Sequence, residues 1–263
     1  MAEIGSTHIY ATPFPDELPA PLFYRAEDML ADSSYPEHSH TWGEFVYSFC
    51  GVMEVKLADG HYMAPPPYGV WLPPHTAHRG QNRDATLYCS VYLSEPFLQG
   101  MPKVPCALAV SPMVRSVLEY LRDNFQGLPL SAEDERLLLV LRDQLARAEC
   151  AGSYLPDTND PLLSKVLNQL EACPGDNRSL AELAKWANTT ERTLIRRCKQ
   201  ELGMTFTEWR QRLRTMAALP LLAAGQTVET IAFDLGYSSA SAFIVMFRKL
   251  MGMTPDEFRK GQE

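Results

Sequence analysis

The chain has 263 residues, a formal net charge of −8 and a hydrophobic fraction of 46%, values of an ordinary globular protein with one or two domains. It contains no run of about 18 apolar residues, which argues against a membrane-spanning helix. Its six cysteines are scattered without paired spacing, and residues 1–21 lack the basic and apolar segments of a secretory signal. We therefore expect a reduced, cytoplasmic protein.

The negative charge is unevenly distributed along the chain. Residues 1–155 carry 10 basic and 19 acidic side chains, whereas residues 156–263 carry 14 basic and 13 acidic ones. Within residues 192–214, seven basic side chains stand against two acidic ones. Because binding to phosphates needs a local basic face rather than a basic protein, the net charge does not exclude DNA as a partner.

Residues 22 to about 100 are rich in aromatic residues, valine, glycine and proline, in short runs that alternate between apolar and polar side chains. Turn-forming residues separate these runs, and the pattern predicts a small antiparallel β sandwich or barrel. The clearest runs are residues 44–49, 52–57, 69–72 and 87–93.

The same region carries a set of metal-ligand residue types. His38 and His40 are two positions apart, so on a strand both would project to one face. Glu44 has even spacing from both, and His78 lies further along the chain. Three imidazoles and one carboxylate suit a divalent transition metal such as Zn, Ni, Fe or Mn without selecting among them.

Aromatic residues near these motifs are expected to belong mainly to the core. We assign a smaller group of residues to a candidate pocket for a small-molecule effector: Trp42, Tyr47, Trp71 and His75.

The pattern becomes helical beyond residue 108. Ser131 and Asp134 fit an acidic form of the capping box and predict a helix that starts there. The helices of residues 111–148 are expected to form a dimer contact or to pack on the β domain. Residues 152–161 have the composition of a linker between domains.

The C-terminal third contains one helix-turn-helix pattern twice. Leu183-Ala184 corresponds to Ile231-Ala232 at an offset of 48, and after the turn Leu194 corresponds to Phe243 at an offset of 49. One inserted residue in a turn leaves the helical phases intact. Two such units on one chain predict two contacts with one DNA duplex.

In the first unit, Ser179 and Glu182 form a second capping box. Thr190 is expected to cap a recognition helix over residues 191–201, with Leu194 and Cys198 buried and Gly203 ending it. The DNA-binding residues predicted on this helix are Arg192, Thr193, Arg196, Arg197 and Lys199.

In the second unit, a helix over residues 228–235 and a turn precede a recognition helix from about Ser239 to Met251. Its buried stripe is predicted to be Phe243, Met246, Phe247 and Leu250. Its DNA-facing residues are small or apolar, which suits close approach and contact with thymine methyl groups. The predicted DNA-binding residues are Ser239, Ala240, Ser241, Ile244, Val245 and Arg248.

The stretch from Gly225 to Phe243, followed by Phe247-Arg248-Lys249 and Gly252-Met253-Thr254-Pro255, resembles the signature of the AraC/XylS family of bacterial transcription regulators. The resemblance covers roughly residues 160–260. It implies two helix-turn-helix units joined by a long helix, here residues 205–224. Pro220 inside that helix is a departure, because an interior proline removes a backbone donor and costs about 3 kcal/mol unless a kink absorbs it.

The resemblance also assigns base-reading positions. It places Arg192 and Arg196 there in the first unit, and in the second unit Ala240, Ser241, Ile244 and Val245.

The spacings around the histidines resemble both cupin motifs, with His38, His40, Glu44 and His78 at the ligand positions. His75 departs from that pattern, which usually has glycine there. The resulting fold class is α+β multidomain: an antiparallel β-barrel of the cupin type (1–108), a helical linker or dimerisation segment (109–155) and an all-α double helix-turn-helix domain (156–263).

These features predict a sequence-specific transcription regulator whose cupin domain senses a small molecule, a divalent metal or both. Its expected partners are a double-stranded DNA operator, RNA polymerase and a second copy of the chain, with no membrane. The layout also resembles regulators of neighbouring transporter genes. The alternative is a cupin metalloenzyme, a dioxygenase or isomerase, fused to a DNA-binding module. We favour the regulator and therefore expect no enzymatic activity.

Overall fold

The computed structural model describes residues 8–14, 16–49, 52–57, 60–82, 85–150 and 154–260. Contacts between residues divide the chain into two compact units, the first ending at Tyr154 and the second beginning at Leu155. The predicted boundary was between residues 155 and 156, and the finer division at residue 108 stays a prediction.

The boundary between the two units falls within the predicted linker, residues 152–161, but the last residue of that linker belongs to a helix. Pro161 is the first residue of a helix that Asp160 caps. A proline is well tolerated at this position because the amide of the first helical residue has no acceptor within the helix. Tyr154 and Leu155 are buried. Gly152 and Ser153 lie outside the described residues.

Four strands of the first unit coincide with the four clearest alternating runs of the sequence, since a strand turns successive side chains to opposite faces. Their bounds are β1 (His8–Ile9), β2 (Leu22–Met29), β3 (Ser33–Ser34), β4 (Gly43–Ser48), β5 (Met53–Leu57), β6 (Gly60–Ala64), β7 (Tyr68–Leu72), β8 (His78–Asn82), β9 (Thr86–Leu93) and β10 (Cys106–Ala109).

These strands form two five-stranded sheets, in the orders β1-β3-β8-β5-β6 and β10-β7-β4-β9-β2. Among the described strands, β1 and β3 pair in parallel and all other pairs are antiparallel. The predicted α+β class is confirmed. The parallel pair is a departure from the antiparallel arrangement predicted for this unit.

Two helices, α1 (Pro112–Asn124) and α2 (Ala132–Ala146), follow the strands. The Ser131–Asp134 capping box that opens α2 is confirmed, since both reciprocal hydrogen bonds are present. Leucines of both helices pack in one cluster with apolar side chains of the second sheet. Of the two roles expected for these helices, packing on the β unit is therefore present.

Strand β4 serves two layers because its side chains alternate. Phe45 and Tyr47 belong to the cluster that includes α1 and α2. Val46 belongs to the core between the two sheets, where it joins Val55 and Leu72. The strand thus separates a helix-packed face from an inner face.

The second unit consists of helices, and the predicted capping residues Ser179 and Thr190 each directly precede one of them. Their bounds are α3 (Pro161–Ala172), α4 (Leu180–Trp186), α5 (Glu191–Glu201), α6 (Phe206–Ala223), α7 (Val228–Asp234), α8 (Ala240–Met251) and α9 (Pro255–Lys260).

The internal repeat predicted from the sequence is present in the backbone. Asn188 and Gly236, related by the offset of 48, both have a left-handed conformation in the turn of their unit. Thr190 and Ser239, related by the offset of 49, both accept a hydrogen bond from the amide three residues later. The two units are therefore in register from turn to recognition helix.

Two details of the prediction differ. Leu250, expected in the buried stripe of α8, is half-buried, and Met251 is buried instead. Helix α6 continues through Pro220 to Ala223. The proline lies in the last turn of the helix, and the helix continues for three residues beyond it.

Arg214 of α6 joins the two helix-turn-helix units. Its buried guanidinium donates to the carbonyl oxygens of Pro174 (3.0 Å) and Asp176 (3.1 Å), in the loop before α4. It also donates to the carbonyl of Gly236 (3.5 Å), in the turn between α7 and α8. A side chain at Gly236 would meet the arginine nitrogen at 2.9 Å, so this turn requires glycine for space as well as for its positive φ.

Candidate functional sites

The three histidines of the predicted ligand set lie together. His38 and His40 are in an extended segment before β4, and His78 is the first residue of β8. His38 and His78 exchange two backbone hydrogen bonds, of 3.0 and 2.9 Å. One ring nitrogen from each of the three histidines lies within 4.8 Å of the others. The expectation that His38 and His40 lie on a regular strand is wrong, because only His38 pairs, through an isolated bridge.

Backbone carbonyls fix the orientation of all three rings. Nδ1 of His38 lies 2.8 Å from the carbonyl oxygen of Pro36. His40 and His78 make equivalent 2.8 Å contacts, each with the carbonyl two residues away. Since a carbonyl only accepts, each Nδ1 carries the hydrogen, and a neutral ring keeps its lone pair on Nε2. Metal-ligating histidines are oriented in this way.

Glu44, at the start of β4, contacts two of the three histidines. Its Oε2 lies 3.1 Å from Nε2 of His40 and 3.5 Å from Nε2 of His78, and its Oε1 accepts a 2.6 Å hydrogen bond from the Ser90 hydroxyl. Burial acts to raise the pKa of Glu44, but the two imidazoles outweigh it and hold the pKa well below its usual range. The carboxylate is therefore ionised inside the protein.

His78 and His38 have different proton affinities. Burial lowers the pKa of His78, while the hydrogen bond and charge of Glu44 raise it by more, so the net pKa is raised. Burial also lowers the pKa of His38, and this effect outweighs the hydrogen bond to Pro36 and the charge of Glu44, so the net pKa is lowered. The cluster is thus an ionised carboxylate beside one imidazole that favours a proton and one that disfavours it.

The donor set fits a divalent transition metal. With Nδ1 protonated, a neutral His40 or His78 would direct a lone pair at the carboxylate oxygen, which is repulsive unless a cation lies between them. Two ligands of one ion with bonds of about 2.0–2.2 Å lie roughly 3–3.5 Å apart, and the observed spacings to Glu44 are 3.1 and 3.5 Å. His38, His40, His78 and Glu44 are the residues that would hold the ion.

The histidines and Glu44 line a cavity between the two sheets. It holds about 600 Å³ of empty space, counted together with its solvent-open part. Apart from the cluster, its wall is mostly apolar or aromatic and includes Phe14, Met29, Trp42, Val46, Met53, Val55, Leu72 and Tyr92.

Of the residues assigned to an effector pocket, Trp42 lines this cavity. Tyr47 and Trp71 do not, because both belong to the helix-packed cluster on the far side of the second sheet. His75 is exposed and does not line the cavity; it has a φ of 62° and donates its amide to the carbonyl of His40 at 2.7 Å.

The sequence analysis missed a polar network at the cavity wall. The hydroxyls of Tyr35 and Tyr88 both donate to Glu27, which also pairs with Arg25. Arg25 donates to the Tyr88 hydroxyl at 3.0 Å. Only the register of β2 with β9, which places Glu27 opposite Tyr88, could have indicated this network.

Helix α5 presents the predicted basic face to solvent. Arg192, Arg196 and Lys199 are exposed, and Leu194 and Cys198 are fully buried on the opposite side. These exposed cations can reach a ligand that lies along this helix, and Arg196 also donates to the Gln200 side chain at 3.0 Å.

Two other predicted DNA contacts of α5 have structural partners. Arg197 is half-buried and forms an ion pair with Asp160, the residue that caps α3. The Thr193 hydroxyl lies 2.9 Å from that of Thr190. Both side chains thus contribute to the fold, and as DNA contacts they stay predictions.

Helix α8 presents a different face. Ser241, Val245 and Arg248 are exposed, and Ala240 and Ile244 are half-buried. Val245 keeps 70% of its surface. These predicted DNA-facing residues lie on one side of the helix, opposite Phe243 and Phe247, which are fully buried.

Ser239 has a defined role in this helix. Its hydroxyl accepts a 3.2 Å hydrogen bond from the amide of Ala242, so it caps α8.

Basic residues of α6 have structural partners as well: Arg210 donates to the carbonyl of Arg178, and Arg212 pairs with Glu208. The basic run of residues 192–214 therefore overstates the charge available to DNA.

Comparison with known proteins matches both units. Residues 183–261 match a family model described as a helix-turn-helix domain, and residues 20–170 match one described as an AraC-like ligand binding domain. No described helix combines the length and apolar character that crossing a membrane needs.

Similar proteins are transcription regulators. The chain is 30% identical over 223 residues to the HTH-type transcriptional regulator NimR of Escherichia coli K12, covering 85% of this chain and 81% of that protein. It is 24% identical over 267 residues to the HTH-type transcriptional activator RhaS of Klebsiella pneumoniae, covering 90% and 92%. The solved structure of ToxT from Vibrio cholerae aligns over 92% of this chain and 99% of its own, with 13% identity and a TM-score of 0.39.

The contact between Glu44 and His78 predicts a measurable pKa change. Glu44→Gln should lower the pKa of His78, because it removes the carboxylate that raises this pKa and leaves the ring buried. The imidazole signals of chelator-treated wild-type and variant proteins, followed by NMR over pH, would report it. An unchanged His78 titration would show that Glu44 does not control this proton.

Proposed function

The chain belongs to the AraC family of transcription regulators, and on that premise we propose that α5 and α8 read two successive major-groove segments of one operator. The chain is a DNA-binding regulator with a ligand-binding unit. The observation that carries the proposal is the register of the two helices. Their caps, turns and buried residues coincide at the repeat offset, so their exposed faces are equivalent surfaces.

The two faces differ in chemistry. Arg192 and Arg196 of α5 offer guanidinium groups, which bind the O6 and N7 acceptors of guanine in pairs. The residues at the same positions of α8, Ser241 and Val245, offer a hydroxyl and exposed methyl groups, which suit close approach and thymine methyls. We propose that α5 provides the hydrogen-bonding part of the readout and α8 the apolar part.

We propose that the first unit binds one divalent transition metal, Zn, Ni, Fe or Mn, through His38, His40, His78 and Glu44. The carbonyl-fixed imidazoles and the ligand spacing support this proposal. When bound, the ion supplies positive charge and a Lewis-acidic centre at the cavity wall. The four residues hold the position, and the ionised Glu44 offsets part of the charge.

We propose that the cavity receives a small-molecule effector. Such a ligand changes DNA binding only if it has different affinities for two states of the protein.

The predicted homodimer is a further proposal: α1 and α2 leave Tyr120 and Leu139 about half exposed, at 51% and 46%. We also propose contact with RNA polymerase, control of a transporter gene and action in the cytoplasm. These three proposals rest on the resemblance to other regulators.

The rival function is a metalloenzyme fused to a DNA-binding module. The histidine–carboxylate set is the observation that favours it. The similar proteins are regulators, so we propose a sensor rather than an enzyme. Incubation of metal-loaded protein with candidate dioxygenase and isomerase substrates separates the two, since a sensor returns them unchanged.

The first functional prediction concerns Arg196. Arg196→Ala should weaken operator binding by on the order of 1–3 kcal/mol and relax the preference at one base pair, because a bidentate contact is lost. Fluorescence anisotropy with the shortest genomic fragment that the protein retains measures the affinity, and selection from randomised fragments measures the preference.

Arg136→Ala is the matched control, because it removes the same charge from an exposed position on α2. It should leave the base preference unchanged. If Arg196→Ala keeps both affinity and preference at moderate salt, α5 does not read bases.

The second functional prediction concerns the metal. Wild-type protein should take up about one ion per chain, and the ion should raise the melting temperature, because it binds only the folded site. His78→Ala should lose both effects. The affinity should also fall as the pH falls, since protons compete for Nε2 and His78, whose pKa is raised, is protonated first.

His75→Ala is the control for this experiment. His75 is close in sequence but exposed and outside the cluster, so its removal should leave metal uptake intact. Elemental analysis after dialysis and thermal melting give the result. A wild-type protein that retains no ion and shows no thermal shift would contradict the metal proposal.

A further inference from the structure

The cavity wall has very few polar groups that are free to bind a ligand. The Nδ1 atoms of the three histidines are committed to backbone carbonyls. The hydroxyls of Tyr35 and Tyr88 are committed to Glu27. The remaining wall is largely apolar, apart from Thr12 and from Gln81, whose amide nitrogen donates to Glu54. A ligand therefore meets an apolar surface with a small number of available polar contacts.

Trp42 is an exception at this wall. Its side chain is 5% exposed, and its indole Nε1–H has no hydrogen-bond acceptor among the described residues. Leaving a buried donor without an acceptor costs about 1–3 kcal/mol, so such groups are rare unless a ligand or water completes them. Because Trp42 lines the cavity, a bound ligand can supply the missing acceptor.

The indole lies beside the histidine cluster. The rings of Trp42 and His40 are parallel, with centroids 5.0 Å apart and an angle of 5° between planes. The backbone carbonyl of Trp42 also holds Nδ1 of His40 at 2.8 Å. The Trp42 ring and the proposed cation site are therefore at the same part of the cavity.

The charge of the site favours one class of ligand. A divalent ion held by three neutral imidazoles and one carboxylate leaves one uncompensated positive charge in a mostly apolar cavity. An uncompensated buried charge is costly, and an anionic ligand removes that cost. A cationic ligand would increase it.

We infer that the effector is a small apolar monoanion, a carboxylate in the simplest case, whose oxygens face the cation site and accept the Nε1–H of Trp42 while its carbon body fills the apolar part of the cavity. This inference rests on the proposed metal and effector functions of the first unit. It assigns Trp42 as the residue that recognises the acceptor group.

The test uses three probes with the same carbon body: 3-phenylpropionate, 3-phenylpropanol and 3-phenylpropylamine. Calorimetric titration of the metal-loaded full chain should show that the carboxylate binds at least about tenfold more tightly than the alcohol, with the amine weakest. Trp42→Phe keeps a ring in the wall and removes the N–H. It should weaken carboxylate binding by about tenfold and alter alcohol binding little.

Trp186→Phe is the matched control, since Trp186 lies on α4, outside the cavity, and should leave all three affinities unchanged. Should Trp42→Phe fail to fold, as judged by circular dichroism, the preference of the wild-type protein for the carboxylate remains decisive. Equal binding of the carboxylate and alcohol overturns the inference, as does a folded Trp42→Phe variant with unchanged carboxylate affinity.

Metal content and operator binding are measured on the same preparations. A protein that binds its operator and one ion but shows no preference for the anion refutes the ligand class alone. A protein that takes up no ion refutes the metal proposal, and the anion preference should then be absent. A protein that binds no genomic DNA refutes the regulator itself.

Discussion

The guanidinium of Arg214 is the interaction on which the DNA-binding unit depends most. It is buried in α6 and satisfies carbonyls on both sides, in the loop before α4 and in the turn before α8. Tyr237 covers it, with the ring centroid 5.3 Å from the guanidinium carbon. Because rigid carbonyls on two elements share one donor group, the first helix-turn-helix unit cannot shift against the second without leaving a buried charge unsatisfied. Arg214 of α6 therefore fixes the distance between the two recognition helices.

The first unit is organised by the alternation of β4. Phe45 and Tyr47 secure the sheet against the helices, which leaves Glu44 and Val46 to face the cavity. Packing and ligand chemistry thus lie on opposite faces of one strand. The close approach of Gly43 to the ring of Trp71, where a Cβ would lie 2.2 Å away, sets the position from which Glu44 reaches the histidines.

Local signals in the sequence were sufficient for much of this structure. Capping residues such as Ser179 and Thr190 depend on the chain within three positions of them, and they start helices where predicted. The offset of the repeat placed the turn at Gly236 correctly. The histidine set was predicted from residue types and from the resemblance of the spacings to the cupin motifs, and backbone pairing of His38 with His78 joins the two motifs.

Features that depend on distant partners were not predictable in the same way. The sequence does not distinguish the role of Arg197 from that of Arg196, because the partner of Arg197, Asp160, lies 37 positions away in the chain. Tyr47 and Trp71 were assigned to the pocket because they are aromatic, but which face they occupy depends on strand register and on helices that follow later in the chain. Pro220 was expected to disturb α6, but the helix continues through it to Ala223.

Hydroxyl-radical footprinting of the full-length protein on its own genomic fragment tests the central claim most directly. Two recognition helices held by α6 should protect two consecutive segments per chain, with centres about 10 base pairs apart, one for each major groove. Inserting about half a helical turn between the segments should abolish protection of one of them, because the two helices cannot follow the change of phase. A single short protected segment per chain, unaffected by the insertion, would contradict the account.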